Sequence, residues 1–115
     1  MPTTLKSIIL AMAMAAAVAA PALAGADPAI NCDTDRNPAE RTICSTYRLL
    51  KTDAKIAFIF SELMENPRLP ARTYAGILSS QREFLERRNS CGRNIACLDH
   101  VMDQRQVFLS SLRYD

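Results

Sequence analysis

The positions of the four cysteines constrain this chain more than any other feature of its sequence. Cys32, Cys44, Cys91 and Cys97 form two pairs that are close in sequence, and all of them follow an apolar N-terminal segment. Disulfides form and persist in oxidising compartments outside the cytosol. Local pairing, Cys32 with Cys44 and Cys91 with Cys97, needs no assumption about tertiary proximity, although other connectivities are open to four cysteines. The sequence therefore predicts a small domain held by two disulfides.

The N-terminal segment, residues 1–24, has the pattern of a cleaved secretory signal peptide. Lys6 supplies a short positive region, and residues 8–20 form an unbroken apolar run. Ala22-Leu23-Ala24 then places small residues at the positions that a signal peptidase reads. A membrane anchor is the alternative, but spanning a bilayer needs about 20 apolar residues and Pro21 interrupts the run too early. We therefore expect cleavage after Ala24 and a destination in the periplasm or outside the cell, with no membrane association after cleavage.

Beyond the signal, the length of the chain allows one domain. We assign residues 25–31 to a flexible leader and 32–115 to a folded domain. The formal net charge is only +2, which lacks the basic footprint of a nucleic-acid-binding protein.

Enzyme chemistry is poorly represented in the sequence. The chain has one histidine, His100, and no glycine-rich phosphate loop or nucleophile motif. Cys97 lies three residues before His100, but in an exported protein it is expected to be oxidised rather than to act as a nucleophile or zinc ligand. We therefore expect no catalytic residue, no metal site and no cofactor.

Helix signals divide the domain into one short and three long helices. Asn37-Pro38-Ala39-Glu40 is a capping-box start, and prolines at 67 and 70 and the glycine at 92 mark breaks. Residues at three- and four-residue spacing between these points form one predicted buried stripe on each long helix. The stripes are Leu49, Asp53, Ile56, Ala57, Phe60, Leu63 and Met64; then Tyr74, Ile77, Leu78, Gln81, Phe84, Leu85 and Arg88; and then Leu98, Val101, Met102, Arg105, Phe108, Leu109 and Leu112. The predicted helices span 38–44, about 46–65, about 71–89 and about 94–113. No segment alternates with a period of two, so the expected fold is an all-α antiparallel bundle stapled by two disulfides.

Polar residues interrupt the apolar stripes of the long helices at Asp53, Gln81, Arg88 and Arg105. Buried charges usually pair with one another. We therefore predict a structural network in which Asp53 accepts hydrogen bonds from Arg88, Arg105 or both. The alternative is that these residues line a cleft that binds a ligand.

Taken together, these residues resemble the LprI-type lysozyme inhibitor N-terminal domain family of small exported bacterial proteins. The resemblance covers nearly all of residues 32–112. It rests on Cys32, residues 38–44, Leu49, Asp53, Gln81-Arg82, Phe84-Leu85, Arg88, Cys91, Cys97-Leu98 and Arg105. Three positions depart from the family pattern: Phe60 and Met102 stand where tyrosine is common, and Phe84 stands where tryptophan is usual. These substitutions keep the apolar body of the side chain and lose its hydrogen-bonding tip.

The resemblance implies a helical, disulfide-bonded domain that binds a lysozyme-type protein and blocks its active-site cleft. Such a cleft contains two carboxylates, to which a guanidinium could offer charge-assisted hydrogen bonds. The loop between Cys91 and Cys97 carries Arg93, which is a candidate for this contact, and Arg87 could flank the loop. The competing interpretation is a structural or stress-related envelope module that binds another envelope protein or peptidoglycan without inhibiting lysozyme.

Overall fold

The computed structural model describes residues 29–34 and 37–113, and within these ranges the chain forms four α-helices and no strand. The helices are α1 (Pro38–Ser45), α2 (Tyr47–Met64), α3 (Ala71–Ser90) and α4 (Ile95–Leu112). This confirms the all-α class, and each bound lies within one residue of its prediction. The predicted signal peptide and the leader residues before Ala29 lie outside the described residues.

Side-chain caps begin the first and last helices where the sequence signals them. Asn37 Oδ1 accepts a hydrogen bond from the Glu40 amide at 2.8 Å, and Glu40 Oε1 accepts one from the Asn37 amide at 3.4 Å. This is the reciprocal capping box. At the start of α4, Asn94 Oδ1 accepts from the Cys97 amide at 2.9 Å. These caps satisfy N–H groups that have no partner within their own helix.

Two ion pairs define the directions of the long helices. Arg48 and Asp99 join α2 and α4 near their first turns, and Glu62 and Arg113 join them near their last turns. α2 and α4 are therefore parallel. α3 runs in the opposite direction, so long helices that follow one another in sequence are antiparallel, as the bundle prediction requires. α1 packs against all three long helices and closes one end of the bundle.

The core draws on all four helices and follows most of the predicted stripes. Its fully buried apolar side chains include Ile43 of α1, Phe60 of α2, Phe84 of α3 and Leu98 of α4. Cys91 lies at its edge.

Three apolar side chains depart from the predicted stripes. Ile59 is buried although the predicted stripe of α2 runs through Ala57 instead. Tyr74 and Phe108 are 40% and 45% exposed although they lie on the predicted buried faces. A stripe with three- and four-residue spacing is wider than the seam that a neighbouring helix covers, so residues at its margin remain in contact with water.

The first described segment corrects the boundary of the predicted leader. Ile30 packs against the core, and its amide donates a hydrogen bond to Asp53 Oδ2 at 3.0 Å. Two residues later, Cys32 is bonded to Cys44 of α1. Ile30 is therefore part of the packed domain, because a buried carboxylate of α2 needs the donor that its amide supplies.

Among the described residues, no helix combines the length and apolar character that crossing a bilayer requires.

Candidate functional site

Both predicted local disulfides are present. Cys32 is bonded to Cys44 and Cys91 to Cys97, and none of these cysteines is free. The first bond joins the segment before α1 to the last turn of α1. The second joins the end of α3 to the first turn of α4. Two such bonds indicate a protein that matures in an oxidising environment.

The connection between α3 and α4 is short and constrained at several points. Gly92 adopts a left-handed conformation with φ of 58°, which other residues rarely adopt. The Asn94 amide donates to the Cys91 carbonyl at 3.1 Å, while its side chain caps α4. Arg93 lies between these fixed points and is exposed. The disulfide loop, residues 91–97, therefore presents one arginine from a backbone that is already ordered.

Arg87 is also exposed, and it lines a groove of about 260 Å³ between α3 and α4. We call this the α3–α4 groove; its other lining residues are Ser80, Glu83, Gln104, Arg105 and Phe108. No residue of the disulfide loop is among them. The two candidate contact residues therefore do not share this groove, and Arg87 faces Arg105 in it rather than Arg93.

All four polar residues predicted to lie on buried faces are buried. Asp53, Gln81 and Arg105 are each 4% exposed and Arg88 is 2% exposed. The predicted hydrogen bonds from the arginines to Asp53 are wrong. The Asp53 carboxylate accepts from the Ile30 amide, and the two arginines bond to other groups.

Arg88 is paired with a carboxylate that the sequence assigned only to a helix cap. Its Nη2 donates to Glu40 Oε2 at 2.8 Å, and it also donates to Asn89 Oδ1 from Nε and Nη2. Glu40 therefore caps α1 with one oxygen and neutralises Arg88 with the other. This pair joins α1 to α3 across the closed end of the bundle.

Arg105 contacts no carboxylate among the described residues. Its Nη1 donates to Ser80 Oγ at 2.8 Å and its Nη2 to Gln81 Oε1 at 2.7 Å. The Phe84 and Phe108 rings lie 5.4 and 5.6 Å from its guanidinium carbon, within the range of cation–π attraction. Burial, followed by the neighbouring Arg87 charge, lowers the pKa of Arg105 to about 10.

Opposing effects act on the pKa of Asp53. Burial raises the pKa of its carboxyl group, while the Ile30 hydrogen bond and the positive charge of Arg88 lower it and the charge of Glu40 raises it. The net shift is upward. Arg88 therefore acts on Asp53 through space, without the hydrogen bond that the sequence predicted.

His100 is exposed on α4, and Cys97 is bonded to Cys91. Within residues 29–34 and 37–113, no group of histidine, cysteine and acidic side chains is arranged to hold a metal ion.

Sequence reasoning missed Glu40 as a partner of Arg88, together with Ser80 and the Ile30 amide. One signal was present: a single aspartate on the buried faces cannot pair with two arginines, which pointed to a further acid. The structure supplies one for Arg88 and none, among the described residues, for Arg105. The acid on the short helix could not be chosen without knowing how that helix crosses α3.

The fold and these sites define a small, disulfide-bonded all-α domain with two exposed arginines near the α3–α4 connection. No protein-family model, curated protein or solved structure matches this chain.

Proposed function

We propose that this protein is an exported protein-binding domain of the bacterial cell envelope that inhibits a lysozyme-type enzyme by occluding its active-site cleft. The signal-peptide pattern of residues 1–24 and the two disulfides support export to the periplasm or the outside. The protein acts by contact rather than by catalysis.

The observation that carries this proposal is the exposed Arg93 on a loop closed by Cys91 and Cys97. A loop that is ordered before binding loses little conformational entropy on association. Its guanidinium can form charge-assisted hydrogen bonds with the carboxylates that a lysozyme cleft presents. Arginine is also among the residues that most often dominate binding energy at interfaces.

The residues on which the family resemblance rests are mainly parts of the scaffold: disulfides, the α1 cap and buried side chains. The three departures are buried as well, since Phe60, Phe84 and Met102 are at most 2% exposed. The three departures therefore lie in the core of this chain and not on its exposed faces. We therefore place the binding surface on exposed residues such as Arg93.

The direct test is a turbidity assay of cell-wall lysis with the oxidised protein and several classes of lysozyme. We expect concentration-dependent inhibition. Arg93→Ala should weaken it by about tenfold or more, as for a central arginine of an interface. Arg82→Ala is the matched control, because Arg82 is an exposed arginine of α3 outside the disulfide loop, and it should inhibit normally.

If a large molar excess leaves lysis unaffected, the inhibitor proposal fails for the lysozymes tested. If the protein inhibits but Arg93→Ala inhibits equally well, the proposed role of the disulfide loop fails while inhibition stands. Sedimentation with purified peptidoglycan would then examine the competing interpretation, an envelope module that binds the wall without inhibiting lysozyme.

A further inference from the structure

Two arginines in this domain are almost equally buried but are neutralised differently. Arg88 is 2% exposed and pairs with Glu40, whereas Arg105 is 4% exposed and contacts only neutral groups and aromatic rings. A buried cation without an anionic partner is unfavourable, and proteins usually supply one. In this fold Arg88 has such an anionic partner in Glu40, whereas Arg105 has none among the described residues.

Hydrogen-bond donors around Arg105 are also left unused. A guanidinium carries five N–H donors. Its Nε is buried and has no hydrogen-bond partner among the described residues, and the same is true of Nε2 of Gln81, whose oxygen accepts from Arg105. The unsatisfied atoms thus belong to one hydrogen-bonded pair of side chains. Buried polar groups are usually satisfied, so these two donors call for an ordered water or an acceptor from a ligand.

The α3–α4 groove reaches Arg105 of this pair, while Gln81 lies behind it and is not among the lining residues. Arg105 and Ser80 form part of its wall, exposed Arg87 supplies a second cation, and the half-exposed Phe108 ring supplies an apolar surface. Glu83 is the only carboxylate among the lining residues, and it is not paired with Arg105. The groove therefore carries a net positive charge from its lining residues and has an apolar side.

A larger groove between α2 and α4, of about 570 Å³, lacks this character. Its arginine, Arg48, is already paired with Asp99, and Asp103 adds a second negative charge. The chain thus leaves an uncompensated cation in the α3–α4 groove but not in the larger one.

We propose that the α3–α4 groove is a binding site for a single carboxylate group, with Arg105 and Arg87 as its cations and Phe108 against the carbon chain of the ligand. Ser80 holds the Arg105 guanidinium in place. The carboxylate can come from a small organic acid or from an acidic side chain of a peptide. This site lies outside the disulfide loop and does not depend on lysozyme inhibition.

The test uses the oxidised, isotope-labelled protein at constant ionic strength and follows its amide and arginine Nε–H signals by NMR. N-acetylglycine probes the free acid, and its neutral methylamide is the control. The blocked peptide Ala-Glu-Ala probes the side chain, and Ala-Gln-Ala is its control.

We expect saturable shifts of the Arg105 Nε–H signal and of residues 80–88 and 104–108 with the carboxylates alone. Binding of the free acid only assigns the site to small acids, and binding of the glutamate peptide assigns it to acidic side chains.

Three single variants of exposed residues test the assignment without altering the core. Arg87→Gln should weaken carboxylate binding about threefold or more, and Glu83→Gln should strengthen it about twofold, as expected for charges at the rim of a site. Arg82→Gln, outside the groove, should leave it unchanged. Arg105→Gln should abolish binding, with thermal unfolding recorded to show whether the variant folds.

Equal shifts with the neutral probes, or shifts spread over the surface, would overturn the proposal. So would unchanged affinity in both Arg87→Gln and Glu83→Gln, whatever the outcome for Arg105→Gln. Because none of these measurements involves lysozyme, failure of this site and failure of the inhibitor proposal are distinguished.

Discussion

At the scale of single residues, Glu40 carries two interactions that stabilise different parts of the domain. One carboxylate oxygen receives the amide of Asn37 at the start of α1, and the other receives Arg88 of α3. Arg88 is buried and Glu40 is partly exposed, so removing Glu40 leaves a buried guanidinium without its counter-ion. The structural importance of Glu40 therefore exceeds what its helix-cap pattern indicates.

Glu40→Ala should lower the free energy of unfolding by on the order of 3 kcal/mol, because it removes the counter-ion of buried Arg88 and the side-chain half of the capping box, while the Asn37 cap remains. Glu62→Ala is the matched control: Glu62 also pairs with an arginine, Arg113, but both side chains are substantially exposed. That variant should lose less than about 1 kcal/mol. Urea unfolding monitored by circular dichroism measures both. Equal losses would show that the Glu40–Arg88 pair contributes no more than a surface pair.

Asp53 gives a second prediction at this scale, through pH. Its pKa is raised in the folded state, chiefly by burial. The stability that this carboxyl group contributes is therefore fully present below its unfolded pKa, near 3.9, and is lost as pH rises through its folded pKa.

Asp53→Asn removes this titration and keeps an oxygen that can accept from the Ile30 amide. Relative to the unmodified protein, this variant should gain stability as pH rises from about 3 to 7. Asp53→Ala lacks the acceptor and should be less stable than Asp53→Asn at every pH, by about 1–3 kcal/mol. Urea unfolding across this pH range measures the differences. If the free energy of unfolding of Asp53→Asn instead falls relative to that of the unmodified protein as pH rises, the charge of Asp53 stabilises the fold through Arg88, as the sequence first suggested.

At the scale of helices, local signals were sufficient to predict the elements. Asn37-Pro38 begins α1, the prolines at 67 and 70 separate α2 from α3, and Gly92 takes the left-handed conformation that ends α3. Each signal acts within a few residues, so the printed sequence contains it in full. The local disulfides were predictable for the same reason.

Contacts between helices were less accessible to sequence reasoning, because they depend on how each helix is rotated about its axis. The buried positions of Asp53, Arg88 and Arg105 followed from helical spacing, but their partners did not. Phe108 illustrates the limit: it lies on the predicted apolar face, yet it is half exposed and its ring contacts Arg105. The α3–α4 groove could likewise not be predicted from the sequence, because its lining residues come from two helices. Of the two proposed contact residues, the exposure of Arg93 was foreseeable, whereas the position of Arg87 beside Arg105 was not.

The disulfides provide a prediction for these elements. Replacing both cysteines of a pair by serine should cost about 3 kcal/mol for Cys32–Cys44 and about 2 kcal/mol for Cys91–Cys97, since the chain-entropy argument gives more stabilisation to the longer loop. The sequence separations are 12 and 6 residues. Denaturant unfolding of the two double variants measures the ranking. A larger loss for Cys91–Cys97 would mean that its bond stabilises α3 and α4 beyond closing a loop.

At the scale of the whole molecule, the scaffold depends on an oxidising compartment, because both the ordered disulfide loop and the attachment of the segment at Cys32 require oxidised thiols. The sequence indicates cleavage after Ala24, where small residues precede the site. Expressed with its N-terminal segment in a bacterial host, the protein should be recovered from the periplasm with Gly25 as its first residue. It should carry no thiol that iodoacetamide can modify before reduction and four after it, since all four cysteines are in disulfides. Intact-mass spectrometry measures both.

Substitutions at the cleavage site provide the control for this prediction. Signal peptidases require small residues at the first and third positions before the cut, here Ala24 and Ala22, so Ala24→Leu should leave the segment attached. Leu23→Phe changes the neighbouring position, which already carries a large side chain, and should be processed normally. Recovery of free thiols in the periplasmic protein would contradict the oxidised scaffold. Uncut protein in the unmodified chain would contradict the assignment of residues 1–24 and, with it, the route by which the domain would reach a lysozyme.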